Sequence, residues 1–363
     1  MPQSMTNRIL GLDGIRAYAV ITVVILHLQL VIHWYYESSP LYSLVWHGVE
    51  IFFVLSGFLI THLLVKERSQ FGNINLKKFW VRRALRIFPL FYLFILSVIL
   101  IGFFYDTNTS LKQTLISAIY GFNFVSRSEY NIMLGHTWSL AVEEHFYLIW
   151  PPILILMLKK NVSLQKILVI LVLSFVALEL INNHLMYETE IGSEYFVERW
   201  TTSASVYLLA GCIGGIFIHA EIWKNTFGTL KLNSLLTTLF LFGFFVDFWF
   251  FGHPIIVRDF RIIGIISGIL WVVANQKSLL VKIMEWAPIR YIGQVSYGIY
   301  IWQGFYLATG PSRAKGQEWP LSDPLLSVIF LVITVPISYH LYEKIFLNMK
   351  KKFQRVPMVN ESE

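Results

Sequence analysis

The sequence predicts an all-α integral membrane protein, a bundle of about ten transmembrane helices with both termini cytoplasmic. Three observations carry that expectation. Of 363 residues, 56% are hydrophobic and only 14% are charged, whereas soluble domains keep about a quarter of their residues charged. The apolar residues gather in runs near 20 residues rather than in short alternating segments, which is the helical and not the barrel pattern. Finally, lysine and arginine concentrate in alternate loops, the bias that sets membrane orientation.

Ten stretches are separable in order: 15–36, 44–65, 88–106, 140–158, 164–182, 203–220, 231–250, 259–275, 292–309 and 325–345. Each is long enough to cross ~30 Å of hydrocarbon. With the N-terminus inside, the inner loops hold the basic runs at 66–86, 159–166, 224–231 and 277–290, and the tail after 344 adds more. The outer loops keep only Lys112, Arg127, Arg199, Arg258, Arg313 and Lys315, with Arg261 near an edge, and 183–199 is acidic. Residues 73–89, NINLKKFWVRRALRIFP, read as a separate inner helix that Asn75 caps and Pro89 limits. The segment 111–125, LKQTLISAIYGFNFV, is too short and polar for a span and reads as amphipathic or re-entrant.

The net charge of +7 describes loops facing anionic lipid and calls for no nucleic acid partner. One cysteine, Cys212, excludes an intrachain disulfide. The N-terminus has no small-residue cleavage site and reads as uncleaved. Residues 1–348 form one transmembrane domain, and 349–363 form a short cytoplasmic tail. No metal-ligand spacing, Gly-rich phosphate loop or Gly-x-Ser-x-Gly elbow occurs, so no metal site and no bound cofactor are expected.

The polar residues inside these apolar stretches are the candidates for chemistry, because ionisable groups at that depth are costly. Arg16 and His27 lie eleven positions apart, almost three helical turns, so they share a face about 16 Å apart along the axis. That face fits the lining of a polar cavity, or a snorkelling arginine and a hydrogen-bonded histidine. In the second span, Glu50 is an acid near the outer end and Ser56-Gly57 permits close helix packing. Arg82 and Arg83 precede Arg86 by four and three residues, so their guanidinium groups cluster on one side and suit phosphate oxygens. In GHTWSLAVEEHFYLIWP (135–151), Ser139, Glu143 and Tyr147 follow one another by single turns. His136, Trp138, Glu144 and His145 crowd the same helix start. GQVSYGIYIWQG (293–304) adds Ser296, Tyr297 and Gln303 as a further polar lining. A channel, a transporter or a membrane transferase fits such a cavity.

The chain resembles the membrane acyltransferase-3 family, bacterial O-acyltransferases that modify cell-surface polysaccharides. Six blocks carry the resemblance in family order from residue 12 to 344: LDGIRAYAV with the histidine after it, GVEIFFVLSGFLI, FWVRRALRIFP, HTWSLAVEEHFYLIWP, IGQVSYGIYIWQ and ISYHLYEK. The resemblance implies transfer of an acyl group, typically acetyl from cytoplasmic acetyl-CoA, to a hydroxyl of a glycan or lipid-linked saccharide in a multi-pass bacterial inner-membrane protein. It implies His27 as catalytic histidine with Arg16 as its motif partner, and Arg82, Arg83 and Arg86 at the donor. His136, Trp138, Ser139, Glu143, Glu144 and Tyr147 then line the site. Glu143 or Glu50 is expected to hold the second nitrogen of His27. The chain departs from the family pattern at Gln303, where relatives often have histidine, and at His145, where glutamine is common. The alternatives are a small hydroxylated metabolite as acceptor, or a non-catalytic transporter or flippase. An oligomeric state is not legible.

Overall fold

The structure is a computed structural model that describes residues 8–31, 47–104, 109–131, 133–226, 229–249, 254–308 and 323–355. Arg313, Lys315, the first expected span beyond Val31 and the tail beyond Arg355 lie outside the described residues. The main elements are α1 (Leu12–Val31), α2 (Gly48–Phe71), α3 (Leu76–Ile101), α4 (Leu111–Ala118), α5 (Thr137–Lys159), α6 (Leu164–Tyr187) and α7 (Thr201–Phe217). They are followed by α8 (Leu230–Trp249), α9 (Pro254–Ala274), α10 (Ala287–Gln294), α11 (Ser296–Gln303), α12 (Pro324–Ser338) and α13 (Lys344–Lys351). Among the described residues there is no strand, only an isolated bridge between Ser126 and Tyr195. Helices α2, α3, α5, α6 and the run Leu325–Lys351 are long and apolar enough to cross a membrane. The chain is an all-α, multi-pass membrane protein.

The helix ends follow local chemistry. Asn75 caps α3 by accepting from the Lys78 amide, and Ser163 caps α6 in the same way from Lys166. Gly72, at φ 68°, ends α2 in the left-handed conformation. Pro89 does not limit the helix that Asn75 starts: α3 runs through it to Ile101. A proline in a buried or lipid-facing helix is tolerated when neighbours bond the disturbed backbone. Here the Tyr297 hydroxyl donates to the Ile87 carbonyl and Tyr342 to that of Pro89.

The segment 111–125 is a short helix and a turn packed against α3. Helix α4 opens with a capping box between Ser110 and Gln113. It closes with the Gly121 amide on the Ile116 carbonyl and Tyr120 on Ser117, with Tyr120 left-handed at φ 59°. Glycine is the usual residue there. Tyr120 instead stacks its ring on Phe91 at 4.5 Å and packs on Phe88, well below the end of α3 at Ile101. The following turn reaches α7, where Asn123 and His145 both meet the Thr201 hydroxyl, at 3.1 and 2.7 Å.

Helices α2 and α7 approach most closely because glycines face backbone. A Cβ at Gly57 would lie 2.0 Å from the Leu208 carbonyl oxygen, and one at Gly211 2.1 Å from that of Val54. Two apolar clusters result, one around α2, α5, α6 and α7 and one around α3, α11 and α12. Polar side chains of α1, α2, α3, α5 and α11 meet between them. After α13 the described chain folds back on α3, where Arg82 donates to the Phe353 carbonyl at 2.9 Å.

Candidate active site

A cavity of about 90 Å³ lies where the two clusters meet, room for a handful of waters or an acetyl-sized group. At its basic end stand Arg16, Arg83 and Arg86. Arg16 is fixed by Asp13, one turn away on α1, at 2.5 Å. Asp13 also takes Arg8 at 2.7 Å, so a carboxylate that the sequence reading passed over neutralises part of the site. Arg83 lies 5.1 Å from the centre of the Tyr147 ring, within cation–π reach.

One level further in, Ser56 donates to Glu143 at 2.8 Å, and the Tyr147 hydroxyl reaches Ser56 at 3.3 Å. The single-turn spacing of Ser139, Glu143 and Tyr147 on α5 thus brings all three to the cavity wall. Above them the Ser139 and Tyr300 hydroxyls are 2.5 Å apart, with Tyr300 donating to the His136 carbonyl at 3.0 Å. Ser296 and Tyr297 complete the wall from α11.

Beyond Tyr300 the polar seam continues to two histidines. His27 sets Nδ1 2.8 Å from the Val23 carbonyl of its own helix. A carbonyl only accepts, so Nδ1 carries the proton and Nε2 the lone pair. The second nitrogen of His27 is therefore held by backbone, in place of the expected carboxylate. His136 lies within electrostatic reach of His27, and neither of its ring nitrogens has a hydrogen-bond partner among the described residues. Its ring is pressed against Gly304, the first residue of a π turn (Gly304–Ala308), where a Cβ would sit 2.1 Å from the imidazole Cε1. The Gln303 amide next to it is fully buried, also with no partner among the described residues. A buried polar atom without a partner calls for an explanation, such as an unfilled ligand site. The cavity with its three guanidinium groups thus lies next to His136, through the Tyr300 hydroxyl on the His136 carbonyl, and His136 in turn lies within electrostatic reach of His27.

A family model described as an acyltransferase domain matches residues 9–343. The chain belongs to this acyltransferase family. Among similar proteins, the peptidoglycan O-acetyltransferase OatA of Listeria monocytogenes (serovar 1/2a) is 31% identical over 318 residues, 80% of this chain and 48% of that protein. The O-acetyltransferase OatA of Staphylococcus aureus (strain NCTC 8325) is 28% identical over 355 residues, 92% of this chain and 56% of its own length. YrhL of Bacillus subtilis (strain 168) is 30% identical over 359 residues, 92% of this chain and 54% of that protein. The chain spans about half the length of the curated relatives it matches. No solved structure matches it.

Within this acyltransferase chain, several candidates fall away from the cavity. Arg82 points to the C-terminal segment and to Glu67 at 3.6 Å, apart from Arg83 and Arg86. Glu50 sits in a separate ionic group with His47 at 3.1 Å, Arg261 at 3.3 Å and the Tyr207 hydroxyl at 2.8 Å. Glu144 turns off the wall, with Oε1 buried and unpartnered among the described residues. His145 is taken by Thr201 and stacks on Phe124. Trp138 packs edge-on to Phe53 at 5.8 Å. Arg199, read from the sequence only as a loop cation, packs over Phe196 at 4.1 Å, Tyr130 at 4.8 Å and Trp138 at 5.8 Å. The His62 and His219 rings, singled out by no motif, pair at 3.0 Å.

Proposed function

We propose that this protein is a membrane O-acyltransferase that moves an acyl group, acetyl by preference, from cytoplasmic acyl-CoA to a hydroxyl of a cell-surface or exported glycan or lipid-linked saccharide. The observation that carries the reading is the polar cavity lined by Arg16, Arg83, Arg86, Ser139 and Glu143, with His136 and His27 beyond its Tyr300 wall, inside a membrane bundle. The names of the relatives, peptidoglycan O-acetyltransferase among them, support the acceptor class. The proposal includes ten crossings of the bacterial inner membrane with both termini cytoplasmic, which makes the arginine end of the seam the donor side.

In this mechanism His27 Nε2 takes the proton of the acceptor hydroxyl as its oxygen attacks the acyl carbonyl. The Val23 carbonyl holds the ring in the required tautomer and bonds the imidazolium that forms. The tetrahedral oxyanion needs donors, which the Ser139 and Tyr300 hydroxyls can supply. Collapse expels the CoA thiolate. Arg83 and Arg86 bond polar oxygens of the donor's arm at the basic end, a role that leaves out Arg82. Arg16 and His27 are about 16 Å apart along α1, so the thioester arm has to enter the seam rather than stop at its mouth.

The test is replacement of His27 by Gln and by Ala, read as O-acetyl content of the cell envelope at matched protein levels. A general base contributes about 10²–10⁴-fold in rate, so both variants should fall by that order while still inserting. A His27→Gln variant acylating at the parental rate would refute the mechanism.

A further inference from the structure

A second cavity, of about 510 Å³, opens at the basic end of the bundle between the end of α2, the start of α3, the end of α5 and the folded-back C-terminal segment. Its size lies in the range of small-molecule sites, roughly 300–1,000 Å³, whereas the seam cavity falls far below it. Three cations from three separate elements line it, Arg68, Lys159 and Arg355, with Asn73 and Asn75 beside them and Leu158 on an apolar wall. No carboxylate is among its lining residues.

The three cations are not equivalent. Arg355 is held in place: it donates to Glu67 at 3.0 Å and to Asn73 at 2.9 Å and lies 4.9 Å from the centre of the Phe71 ring. Arg68 and Lys159 make no ion pair among the described residues. A pocket with two uncommitted cations, amide donors and an apolar wall is complementary to a ligand that joins phosphates to a flat ring.

The two cavities are bounded by the same three helices. Leu59 and Arg68 on α2, Arg83 and Leu76 on α3, and Tyr147 and Ile155 on α5 line the seam cavity and the cleft respectively. These separations of seven to nine residues correspond to about 10–14 Å along the helix axes. Trp80 stands at the intermediate level, its indole donating to the Tyr147 carbonyl at 3.1 Å. A ligand anchored by phosphates in the cleft thus needs an extended arm of that reach to present a reacting group in the seam.

We propose that this cleft is the nucleotide subsite of the protein, binding the phosphate-bearing adenosine end of an acyl-CoA while the pantetheine arm runs past Trp80 into the seam. The proposal rests on the acyl-CoA reading for the identity of the ligand, but its chemistry, a phosphate anion held by Arg68, Lys159 and Arg355, is shared by an anionic lipid headgroup.

The experiment separates these sources. The purified full chain in neutral detergent is titrated with 3′,5′-ADP, the phosphate end of CoA without its arm, and with CoA. Saturable binding that weakens with added salt is expected, and the double variant R68Q/K159Q should weaken both ligands at least tenfold. Lys159 is exposed and Arg68 half-exposed, and a charge reversal at Lys159 alone, Lys159→Glu, serves as a second variant should the double one be unstable. Absence of 3′,5′-ADP binding, or equal binding by parent and variants, overturns the subsite. So does complete displacement of the nucleotide when the chain is moved from phosphatidylcholine to phosphatidylglycerol nanodiscs, which would make the cleft a headgroup site. Failure of the function is distinguishable. A chain that binds 3′,5′-ADP through these residues but never transfers an acyl group sinks the acyltransferase reading alone. One that transfers from acetyl-CoA with the same KM in parent and R68Q/K159Q sinks the subsite alone.

Discussion

Replacing Gly304 by alanine tests whether the placement of His136 matters to the reaction. The added Cβ would lie 2.1, 2.2 and 2.5 Å from Cε1, Nδ1 and Nε2 of the imidazole, whereas ordinary contact begins at 3.4 Å. The ring therefore has to retreat by more than an ångström. It is enclosed by Phe94 and Tyr300, with ring centres at 5.0 and 5.8 Å. Overpacking of this kind costs about 1–3 kcal/mol of stability, and a 1 Å displacement of a reacting group can cost about 10²-fold in rate. The assay is paired: envelope O-acetylation at matched expression, and thermal unfolding in detergent. Gly304→Ala should lose both stability and about two orders of magnitude of activity. Adding His136→Ala removes the clashing ring, so stability should return while activity stays low. Full activity in Gly304→Ala would refute the reasoning, because a displaced His136 would then be irrelevant to the chemistry.

Further outcomes are expected elsewhere in the bundle. Arg86→Ala, which empties the cavity wall of a guanidinium, should abolish most transfer, whereas Arg82→Ala should chiefly lower thermal stability, because Arg82 ties down the Phe353 carbonyl; activity assays beside unfolding curves tell them apart. Glu67, 2% exposed, binds Arg355, Arg82 and the Asn75 amide. Breaking a buried pair on one side costs about 3–5 kcal/mol, so Glu67→Gln should release the C-terminal segment to limited proteolysis near residue 352. A cysteine introduced at 73 should react with membrane-impermeant reagent only in inverted vesicles, and labelling from outside intact cells would reverse the proposed orientation.

The sequence shows which residues share a face of one helix and conceals which faces meet. Ser139, Glu143 and Tyr147 were legible as one stripe because helical spacing is local, and Ser56-Gly57 was legible as a close contact because a small pair invites backbone approach. The three arginines show the limit. Arg82 and Arg86 are four residues apart and so nominally co-facial, yet Arg82 is drawn off by Glu67 and by a carbonyl 271 positions away. Glu50 beside His27 was equally plausible until Arg261 on α9 claimed it. Pro89 looked like a stop because in water the freed backbone has no remedy, whereas here hydroxyls of Tyr297 and Tyr342 bond the carbonyls around it.

The same contrast bears on how an arginine and a histidine came to occupy one membrane helix. Each carries a local answer to the cost of burial, Asp13 for Arg16 and the Val23 carbonyl for His27, so neither needs a substrate to be stable there. Among the groups lacking such an answer are His136 and Gln303, whose buried polar atoms go unsatisfied among the described residues at about 1–3 kcal/mol for each orphan. If a bound acceptor completes those bonds, the cost of leaving them open is recovered on binding. His136 then belongs to recognition of the acceptor hydroxyl, beside the proposed base His27. A His136→Ala variant should accordingly raise the acceptor concentration needed for half-maximal transfer while leaving that for acetyl-CoA unchanged. Equal shifts for both substrates would place His136 in the packing of the seam instead.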